Sequence, residues 1–385
     1  MRLLHTADWH LGRIFYGASL IEDQAIALDA FCVLAADLRP DAIIVAGDVY
    51  DRSVPPAEAV ALLDETLTRL VADVGVPVVV IAGNHDSPER LAFGSRLLAH
   101  GGLHVVGPLH ADPVSVALAT SAGPARIWAL PHADPPEVAC ALDDECVRGH
   151  EAAMAAMLTR VRAAAVAGEH QVVVAHAFVT GGKPSESERP LSVGGTAQVG
   201  SSLFGGFDYV ALGHLHRPQS LAGSTIRYSG SLLKYSFDEH DHHKSVTLVE
   251  IGESGRLATQ EYELPFRRDV RKISGYLGDL LSSPPADGRD DYVWVDLLDE
   301  LPARSPLERL RAVYPNVMYA ARVAATAPQT RLSGLAAGDV ARLGMAELFE
   351  QFFADSMGEA LSPARHEVFT GLVREFERGR RSAQR

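Results

Sequence analysis

Residues 78–86 read Val-Val-Val-Ile-Ala-Gly-Asn-His-Asp, an apolar run that ends in side chains able to bind a metal ion. Four other segments have the same form, at residues 3–10, 43–48, 172–176 and 209–216, and each ends in Asp or His. Short apolar runs rich in β-branched residues predict buried strands. Because open α/β sheets bring the ends of such strands together along one edge, the five segments predict a shared polar site.

The composition is that of a globular protein. The 385 residues suffice for two domains, or for one domain with appendages, and 47% of them are hydrophobic. The sequence has no apolar run of transmembrane length and no signal-peptide pattern at its N-terminus. Its 3 cysteines are irregularly spaced, which favours a reducing compartment over a disulfide framework. We therefore expect a cytoplasmic protein without a membrane segment.

The charge balance argues against a self-sufficient DNA-binding protein. The net charge is −14, whereas such proteins usually carry a basic face. Basic residues cluster at 267–272 and in the tail at 374–385, where a solvated surface is the simpler interpretation. If the substrate is nucleic acid, bound metals must supply local positive charge and a partner must supply the rest.

Predicted strands and helices alternate through the first third of the chain. Helical periodicity occurs at 20–38, 56–72 and 88–99, between the apolar runs at 2–6, 42–46 and 76–82. Further apolar runs predict the strands of a second sheet, at 209–212, 225–228, 245–251 and 257–264. The fold class is therefore α/β, and two sheets packed face to face with helices outside would form a four-layer αββα sandwich.

The chain changes character after residue 265. Strands alternate with helices up to residue 323, which predicts a small α+β domain. We expect a first domain at 1–265, a small α+β capping domain at 266–323, a linker at 324–342 and C-terminal helices at 343–385. Two explanations account equally well for the apolar faces of those helices. The helices could fold back onto the main body, or they could bind a partner helix.

Seven side chains in the strand-end segments are candidate metal ligands. They share a position just beyond an apolar run, and they are Asp8, His10, Asp48, Asn84, His176, His214 and His216. Asp8 and His10 are two residues apart, so both would project to one side of an extended chain, and the last pair repeats that spacing. Asp48 follows Gly47, which permits a tight turn and close approach of the backbone to a ligand.

The mixture of side chains in this set indicates the class of metal. Carboxylate, amide and imidazole ligands without cysteine suit Mn²⁺, Fe²⁺ or Zn²⁺ better than Ca²⁺. Such ions lower the pKa of bound water from about 15.7 towards ~7, and a pair of them ~4 Å apart can hold a phosphate for in-line attack. Each element is a weak signal by itself, but together they predict a two-metal hydrolase for phosphate esters.

At these residues the chain resembles the calcineurin-like metallophosphoesterases. The matching motifs are Asp8-x-His10, Gly47-Asp48-x-x-Asp51, Gly83-Asn84-His85-Asp86, His176 and Gly213-His214-x-His216, in the order and spacing of that superfamily. Flanking sequence at 1–12, 45–51, 208–217 and 228–239 is similar to one branch, the SbcD family of nuclease subunits of bacterial SbcCD complexes. The resemblance covers the chain from residue 1 to about residue 265.

The resemblance implies that two metal ions share the ligands. One ion would bind Asp8, His10, Asp48 and His216, and the other would bind Asp48, Asn84, His176 and His214, with Asp48 as the bridge. His85 would be catalytic and face the scissile phosphate, where it would stabilise the transition state or protonate the leaving oxygen, since an imidazole can donate a proton near neutral pH. Asp86 would be the second catalytic candidate and would orient the ring of His85.

The resemblance also implies a nucleoid-associated location, the cofactor, the reaction and the partners. It implies two Mn²⁺ ions, with Fe²⁺, Zn²⁺ or Mg²⁺ as substitutes, and exonuclease and endonuclease cleavage of DNA in repair, recombination and replication. The expected substrates are duplex ends, hairpins and single strands, which the small domain would contact. An SbcC-like coiled-coil ATPase would bind the C-terminal helices. A homodimer would form through helices 56–72 and 88–99, although burial within one chain explains their leucines equally well.

Two further features have weaker interpretations. Arg13 and Arg90 lie beside ligand motifs and are candidate substrate-binding residues, although surface salt bridges explain them equally well. Residues 239–243 read Glu-His-Asp-His-His, the composition of a metal cluster. Because adjacent residues cannot all face one ion, we expect a solvated loop there.

Two alternative functions fit parts of the sequence. Another binuclear-metal phosphoesterase, acting on small nucleotides or phosphoproteins, would have the same ligands but would need neither the small domain nor the apolar tail. A non-catalytic protein that tethers DNA ends would be expected to have lost a ligand, and none of the candidate ligands is missing.

Overall fold

The first of two large sheets is built around the N-terminal strand. Strand Arg2–Thr6 pairs in parallel with Ala42–Ala46, which pairs in turn with Val78–Ile81. Both of these partner strands are buried along their whole length, as expected of parallel strands that are covered on both faces. The complete order of the sheet is Leu257–Glu263, Ser245–Ile251, Arg2–Thr6, Ala42–Ala46, Val78–Ile81 and Leu103–Val106.

The second large sheet contains the remaining strand-end segments. Its central strands, His170–His176 and Tyr209–Gly213, are parallel, and Gly213 lies opposite His176. The complete order is Gln219–Leu221, Ile226–Tyr228, Tyr209–Gly213, His170–His176, Gly123–Leu130 and Val114–Thr120. Since parallel strands end at the same edge of a sheet, each sheet presents its polar segments at one edge.

The sequence-based assignment of strands 245–251 and 257–264 to the second sheet is wrong. Ser245–Ile251 pairs antiparallel with Arg2–Thr6 in the first sheet. Leu257–Glu263 pairs antiparallel with Ser245–Ile251. The chain crosses between the sheets after Ile226–Tyr228, and a crossover leaves no mark in the periodicity of either strand. The crossing segment brings Tyr235 to the loop that follows the first strand, where its hydroxyl donates to the carbonyl oxygen of Trp9.

The two sheets and their helices form four layers. The inner faces of the sheets share an apolar layer that includes Ile44, Ile81, Ile127, Val174 and Tyr209. Burial of each such side chain contributes about 1.5–3 kcal/mol, so this layer is a main source of stability. The outer face of the second sheet packs against helices Pro135–Leu142 and Gly149–Ala164, while Ile21–Leu38 and Ala57–Thr68 bury one face each. The α/β sandwich predicted from the sequence is confirmed.

The helix predicted at 88–99 is interrupted. It consists of two short helices, Pro88–Leu91 and Ser95–Leu98, followed by the 3-10 turn Ala99–Gly101. The first helix ends with Ala92 as its C-cap, and Gly94, with a φ of 72°, is the N-cap residue of the second helix. The helix predicted at 56–72 spans Ala57–Thr68 and continues as a π-helical turn, Arg69–Asp73.

The structure, a computed structural model, describes residues 1–191, 197–221, 223, 225–285, 287–323, 345–357 and 360–383. Contacts divide the chain into two compact units, Met1–Lys272 with Asp290–Tyr292, and Ile273–Arg289 with Val293–Arg385. A three-stranded sheet has the order Val270–Gly275, Tyr292–Leu297 and Val317–Arg322, beside helices Leu277–Ser282 and Pro306–Arg311. The core of the second unit includes Val293, Val295, Leu310 and Tyr314.

Two helices lie at the C-terminal end of the described chain, Met345–Met357 and Pro363–Ala383. They pack on each other through Phe349 and Phe369, whose rings are stacked with centroids 3.7 Å apart. Phe352, Val368 and Leu372 are exposed beside this contact. The linker predicted at 324–342 lies outside the described residues. Of the helices that the structure describes, none has both the length and the apolar composition needed to cross a membrane.

Candidate metal centre

Loops at the ends of the strands bring the seven candidate ligands together. Six of them are at most 4% exposed, and these are Asp8, His10, Asp48, His176, His214 and His216. Asn84 is partly buried beside them. The donor atoms of Asp8, His10 and His216 lie within 4.8 Å of one another, and so do those of Asp48, His176 and His214. The structure therefore forms two adjacent groups of buried metal-binding atoms.

The first group centres on two imidazoles that face each other. The Nε2 atoms of His10 and His216 are 3.0 Å apart, and Nε2 of His10 is 3.6 Å from Oδ2 of Asp48. On its other side, Nδ1 of His216 lies 2.5 Å from Oγ of Ser187. With the ring proton in that hydrogen bond, Nε2 of His216 presents a lone pair. Two buried ring nitrogens and a carboxylate converging in this way suit a shared cation.

The second group surrounds the amide oxygen of Asn84. This oxygen is 3.0 Å from Nε2 of His176 and 3.2 Å from Nδ1 of His214. Nδ1 of His176 donates to the carbonyl oxygen of Ala46 at 2.9 Å, so Nε2 is the nitrogen that faces the group. The same Nε2 is 3.5 Å from Oδ2 of Asp48, the oxygen that also approaches the first group. Asp48 therefore lies where a bridging ligand would be needed.

Unusual backbone conformations direct four of these side chains. Asp8, His10, Asp48 and His214 have φ values of 52°, 45°, 48° and 104°. Such conformations cost roughly 1–3 kcal/mol per non-glycine residue and cluster at functional sites. The expectation that Asp8 and His10 project alike from an extended strand is wrong, because the strand ends at Thr6. Both side chains reach the site from left-handed turns, held by hydrogen bonds from their N–H groups to the carbonyls of residues 47 and 48.

Burial and neighbouring charge set the protonation of the ligands. Burial lowers the pKa of His10 and of His214 well below the usual range, which favours the neutral rings that bind metals. Burial acts in the same direction on His176, but the Asp48 carboxylate outweighs it and raises the pKa of His176 to about 9. Burial would raise the pKa of Asp48, yet the same ring holds it well below its usual value. A metal ion would displace this shared proton, because metal ligands must be deprotonated.

His85 lies beside the first group. The centroid of its ring is 4.6 Å from that of His10, and its Nδ1 is 2.8 Å from the carbonyl oxygen of Asp51. Its backbone N–H donates to Oδ1 of Asp48 at 2.9 Å. A donor atom of His85 also lies within 4.8 Å of donor atoms of His10 and Asp51. The ring is therefore oriented by the backbone of the neighbouring loop, through its Nδ1.

The expected contact between Asp86 and the ring of His85 is not formed. The Asp86 carboxylate instead accepts hydrogen bonds from the N–H groups of Val49, Tyr50 and Gly83, at 3.1, 2.9 and 2.9 Å. Burial, with the nearby Asp48 charge, raises the pKa of Asp86 to about 7. The chain bends at residues 84–86, directly after Gly83, and this carboxylate reaches back to the N–H of Gly83. Asp86 thus joins two ligand-bearing loops and does not orient His85.

The two candidate substrate-binding arginines lie in different environments. Nη1 of Arg13 is 2.9 Å from Oδ1 of Asp51, and its guanidinium lies over the ring of Tyr235 at 5.5 Å. Arg13 is therefore held in an ion pair at the edge of the site. Arg90 is exposed on the short helix Pro88–Leu91.

The solvated loop expected at 239–243 is wrong for two of its residues. Glu239 and His242 are buried, while the other three residues of the run are exposed. The 3-10 turn Phe237–Glu239 directs the Glu239 carboxylate inward, to 2.5 Å from Nζ of Lys244. Burial would raise the pKa of Glu239, but the Lys244 ammonium holds it well below its usual range. Sequence reasoning missed this residue because two of its partners, Ser187 and His216, lie 52 and 23 residues away along the chain.

Comparison with known proteins agrees with this geometry. A family model described as calcineurin-like phosphoesterase matches residues 1–218. A second model, described as Type 5 capsule protein repressor C-terminal domain, matches residues 266–357. The SbcD subunit of the nuclease SbcCD from Staphylococcus saprophyticus is 35% identical over 321 residues, which are 83% of this chain and 84% of that protein.

Two solved structures are also similar. TT1561 of Thermus thermophilus has a TM-score of 0.39 and 16% identity, over 68% of this chain and 98% of that chain. Yfce, a phosphoesterase from E. coli, has a TM-score of 0.27 and 15% identity, over 69% of this chain and 100% of that chain. The family model covers more than half of the sequence, and the Staphylococcus protein is similar over most of it. The chain therefore belongs to the SbcD family of calcineurin-like metallophosphoesterases, a superfamily that binds divalent metal ions.

Proposed function

We propose that this chain is a two-metal DNA nuclease that hydrolyses phosphodiester bonds. The observation that carries the proposal is the position of Asp48 between two groups of buried donor atoms, with His85 beside them. Such a site suits a phosphate ester held between two cations. The relative in Staphylococcus saprophyticus is named as a nuclease subunit, which supports DNA over a small nucleotide as the substrate.

The side chains would have distinct tasks in this reaction. Asp8, His10, Asp48 and His216 would hold one ion, and Asp48, Asn84, His176 and His214 would hold the other. When bound, the ions supply positive charge for the phosphate and Lewis acidity that activates water. Because Nδ1–H of His85 donates to the Asp51 carbonyl, Nε2 would give a proton to the leaving oxygen from the doubly protonated ring. The charge of Arg13 is already paired with Asp51, so a phosphate contact would have to share it.

Mn²⁺ is the metal we propose for both positions. Three oxygen ligands and four imidazole ligands form a mixed set that suits Mn²⁺ and Fe²⁺, and that Zn²⁺ or Mg²⁺ could also occupy. Two of the imidazoles are held by hydrogen bonds through their second nitrogen, His176 by the Ala46 carbonyl and His216 by the Ser187 hydroxyl. Metal ligands are usually fixed in this way, which leaves the other ring nitrogen to bind the ion.

We further propose that the chain acts at DNA ends together with an SbcC-like ATPase. The relative is named as one subunit of SbcCD, and the C-terminal helices expose an apolar surface that a partner helix could cover. In this proposal residues 1–265 catalyse cleavage, 266–323 contact DNA and 343–385 bind the ATPase. The net charge of −14 supports the need for a partner, because DNA binding relies on cationic groups.

A homodimer is the second assembly that we propose. Phe93 lies between the two short helices that follow Gly83–Asp86 and Leu97 lies on the second of them, and they are 87% and 80% exposed. Val60 is 45% exposed on Ala57–Thr68. Large exposed apolar side chains commonly mark an interface between proteins. A second copy of the chain would cover these side chains.

One assay tests the nuclease proposal. The purified chain, with and without the ATPase, is incubated with end-labelled duplex and hairpin DNA in Mn²⁺ or in EDTA. We expect cleavage in Mn²⁺ and none in EDTA. His85→Gln should lower the rate by about 10²–10⁴-fold, the usual contribution of an acid catalyst, while leaving Mn²⁺ binding unchanged. If the chain instead hydrolyses cyclic nucleotides or phosphopeptides and leaves DNA intact, the alternative phosphoesterase function replaces this proposal.

A further inference from the structure

His216 is contacted on its far side by groups that belong to neither set of ligands. Its Nδ1 lies 2.5 Å from Oγ of Ser187, and that hydroxyl donates in turn to Oε1 of Glu239. Ser187 and Glu239 are 9% and 0% exposed, so bulk water does not compete for these bonds. A hydrogen-bonded chain therefore runs from the imidazole through the serine to a buried carboxylate.

The charges around these hydrogen bonds fix which group donates and which accepts. The Glu239 carboxylate is 2.5 Å from Nζ of Lys244, a buried ammonium, and a carboxylate beside a cation acts as an acceptor. Ser187 must then donate to Glu239, which leaves its oxygen to accept from Nδ1–H of His216. That order places the proton of His216 on Nδ1 and its lone pair on Nε2, 3.0 Å from Nε2 of His10.

Two further contacts hold the backbone of the same residue. The N–H of His216 donates to Oε1 of Glu188 at 2.7 Å, and its carbonyl oxygen accepts from Nζ of Lys244 at 2.7 Å. The segment that carries Ser187 is itself attached nearby, because the N–H of Glu186 donates to Oδ2 of Asp238 at 3.0 Å. Both the ring and the peptide of His216 are thus fixed from behind.

We propose that Ser187 and Glu239 are positioning residues that select the metal-binding tautomer of His216 and so set the affinity of its metal position. The proposal rests on the two-metal function above and adds the residues that prepare one ligand. Outer partners of this kind typically change metal affinity by about 10–100-fold. They act only through His216 and touch neither the substrate nor the reacting atoms.

Calorimetric titration of the metal-free chain with Mn²⁺, in the absence of DNA, tests the proposal. Ser187→Ala removes the hydroxyl link and keeps the Glu239–Lys244 ion pair, and Glu239→Gln removes the charge that orders the link. We expect each to weaken one of the two Mn²⁺ sites by about 10–100-fold and to leave the other within about twofold. In spectra of the ¹⁵N-histidine-labelled metal-free chain, His216 should be the Nδ1–H tautomer in the wild type and a mixture in Ser187→Ala.

Asp238→Asn is the matched control. An asparagine oxygen can still accept from the N–H of Glu186, so this variant should bind both Mn²⁺ ions like the wild type. If Glu239→Gln fails to fold because Lys244 loses its counter-charge, the Mn²⁺ affinity of Ser187→Ala still tests the proposal. Unchanged Mn²⁺ affinity in Ser187→Ala would overturn the proposal, whatever Glu239→Gln does. Because no DNA is present, a failed nuclease assay and a failed positioning role give separate results.

Discussion

Gly83 lies against the proposed bridging ligand, with no room for a side chain. A Cβ atom built there would be 2.1 Å from Oδ1 of Asp48, well inside contact distance, and its backbone has no left-handed strain. We therefore expect Gly83→Ala to displace the carboxylate and to lower Mn²⁺ affinity by at least about tenfold, as measured by calorimetry. Gly101→Ala is the control, because nothing lies within 4 Å of that position. Wild-type binding by Gly83→Ala would contradict the bridging role of Asp48.

Asp86 joins two ligand-bearing loops, because its carboxylate accepts three backbone hydrogen bonds. Removing the acceptor leaves buried N–H groups without partners, each at a cost of about 1–3 kcal/mol unless water replaces it. We expect Asp86→Ala to lower the free energy of unfolding by at least about 2 kcal/mol, as measured by urea denaturation in EDTA. The exposed Asp73→Ala should change it by less than about 0.5 kcal/mol. Equal stabilities would show that Asp86 does not hold the loops.

At the scale of elements, the apolar runs predicted the strands well. A buried parallel strand needs an uninterrupted β-branched run, so Ala42–Ala46 and Val78–Ile81 could be located without a structure. The edge along which their polar residues meet follows from the same rule. For this reason the gathering of Asp48, Asn84 and the other candidate ligands could be predicted from their order alone.

Other features depend on contacts between distant residues, and the sequence does not reveal those. The crossover before Ser245–Ile251 is decided by pairing with Arg2–Thr6, which lies at the other end of the chain. The link from Ser187 to Glu239 spans 52 residues and involves polar side chains that local patterns assign to solvent. The left-handed turn at His10 is likewise imposed by its neighbours, since no local signal requires positive φ there.

The strand Arg2–Thr6 also carries a titratable group in the layer between the sheets. His5 is fully buried, its Nδ1 lies 2.9 Å from the Tyr209 hydroxyl, and burial lowers its pKa from 6.5 to about 3. Below pH 6.5 the unfolded chain binds a proton that the folded chain excludes until about pH 3. Stability should therefore fall as the pH drops through this window.

His5→Gln tests this pH dependence, because glutamine does not titrate. Between pH 7.5 and pH 5, His5 should account for about 2 kcal/mol of the lost stability, at about 1.4 kcal/mol for each pH unit below 6.5. Urea denaturation in EDTA at both pH values should show a smaller loss in the variant by that amount. His243→Gln, at an exposed histidine, should lose as much stability as the wild type. Parallel losses in all three proteins would exclude His5 as the source.

At the scale of the whole molecule, the net charge of −14 means that DNA can bind at the buried ligands only where cations offset the repulsion. A DNA backbone is repelled by the chain except where cations neutralise it locally. The proposed ions would supply that charge at the point of cleavage, so binding and catalysis would depend on the same cofactor. Holding a long duplex needs further positive charge, which an ATPase partner would have to bring.

The C-terminal helices are where such a partner is expected to attach. Val368 and Leu372 are one helical turn apart and 66% and 58% exposed, so they form an apolar stripe on Pro363–Ala383. We expect Leu372→Glu to weaken binding of the SbcC-like ATPase by at least about tenfold, because a charge cannot be buried in an apolar interface without a large penalty. Co-sedimentation of the full-length chain with the ATPase measures the loss, while Mn²⁺ affinity should not change.

Thr370→Glu is the matched control for this prediction. It adds the same charge two residues away, on the side of the helix opposite the Val368–Leu372 stripe, and Thr370 is partly exposed. That variant should bind the ATPase like the wild type. If Leu372→Glu binds the ATPase as well as the wild type, the apolar stripe is not the partner site. Packing within the chain would then explain why its residues are apolar. If both variants lose binding, added negative charge is the cause, and the ATPase recognises this end of the chain by electrostatics.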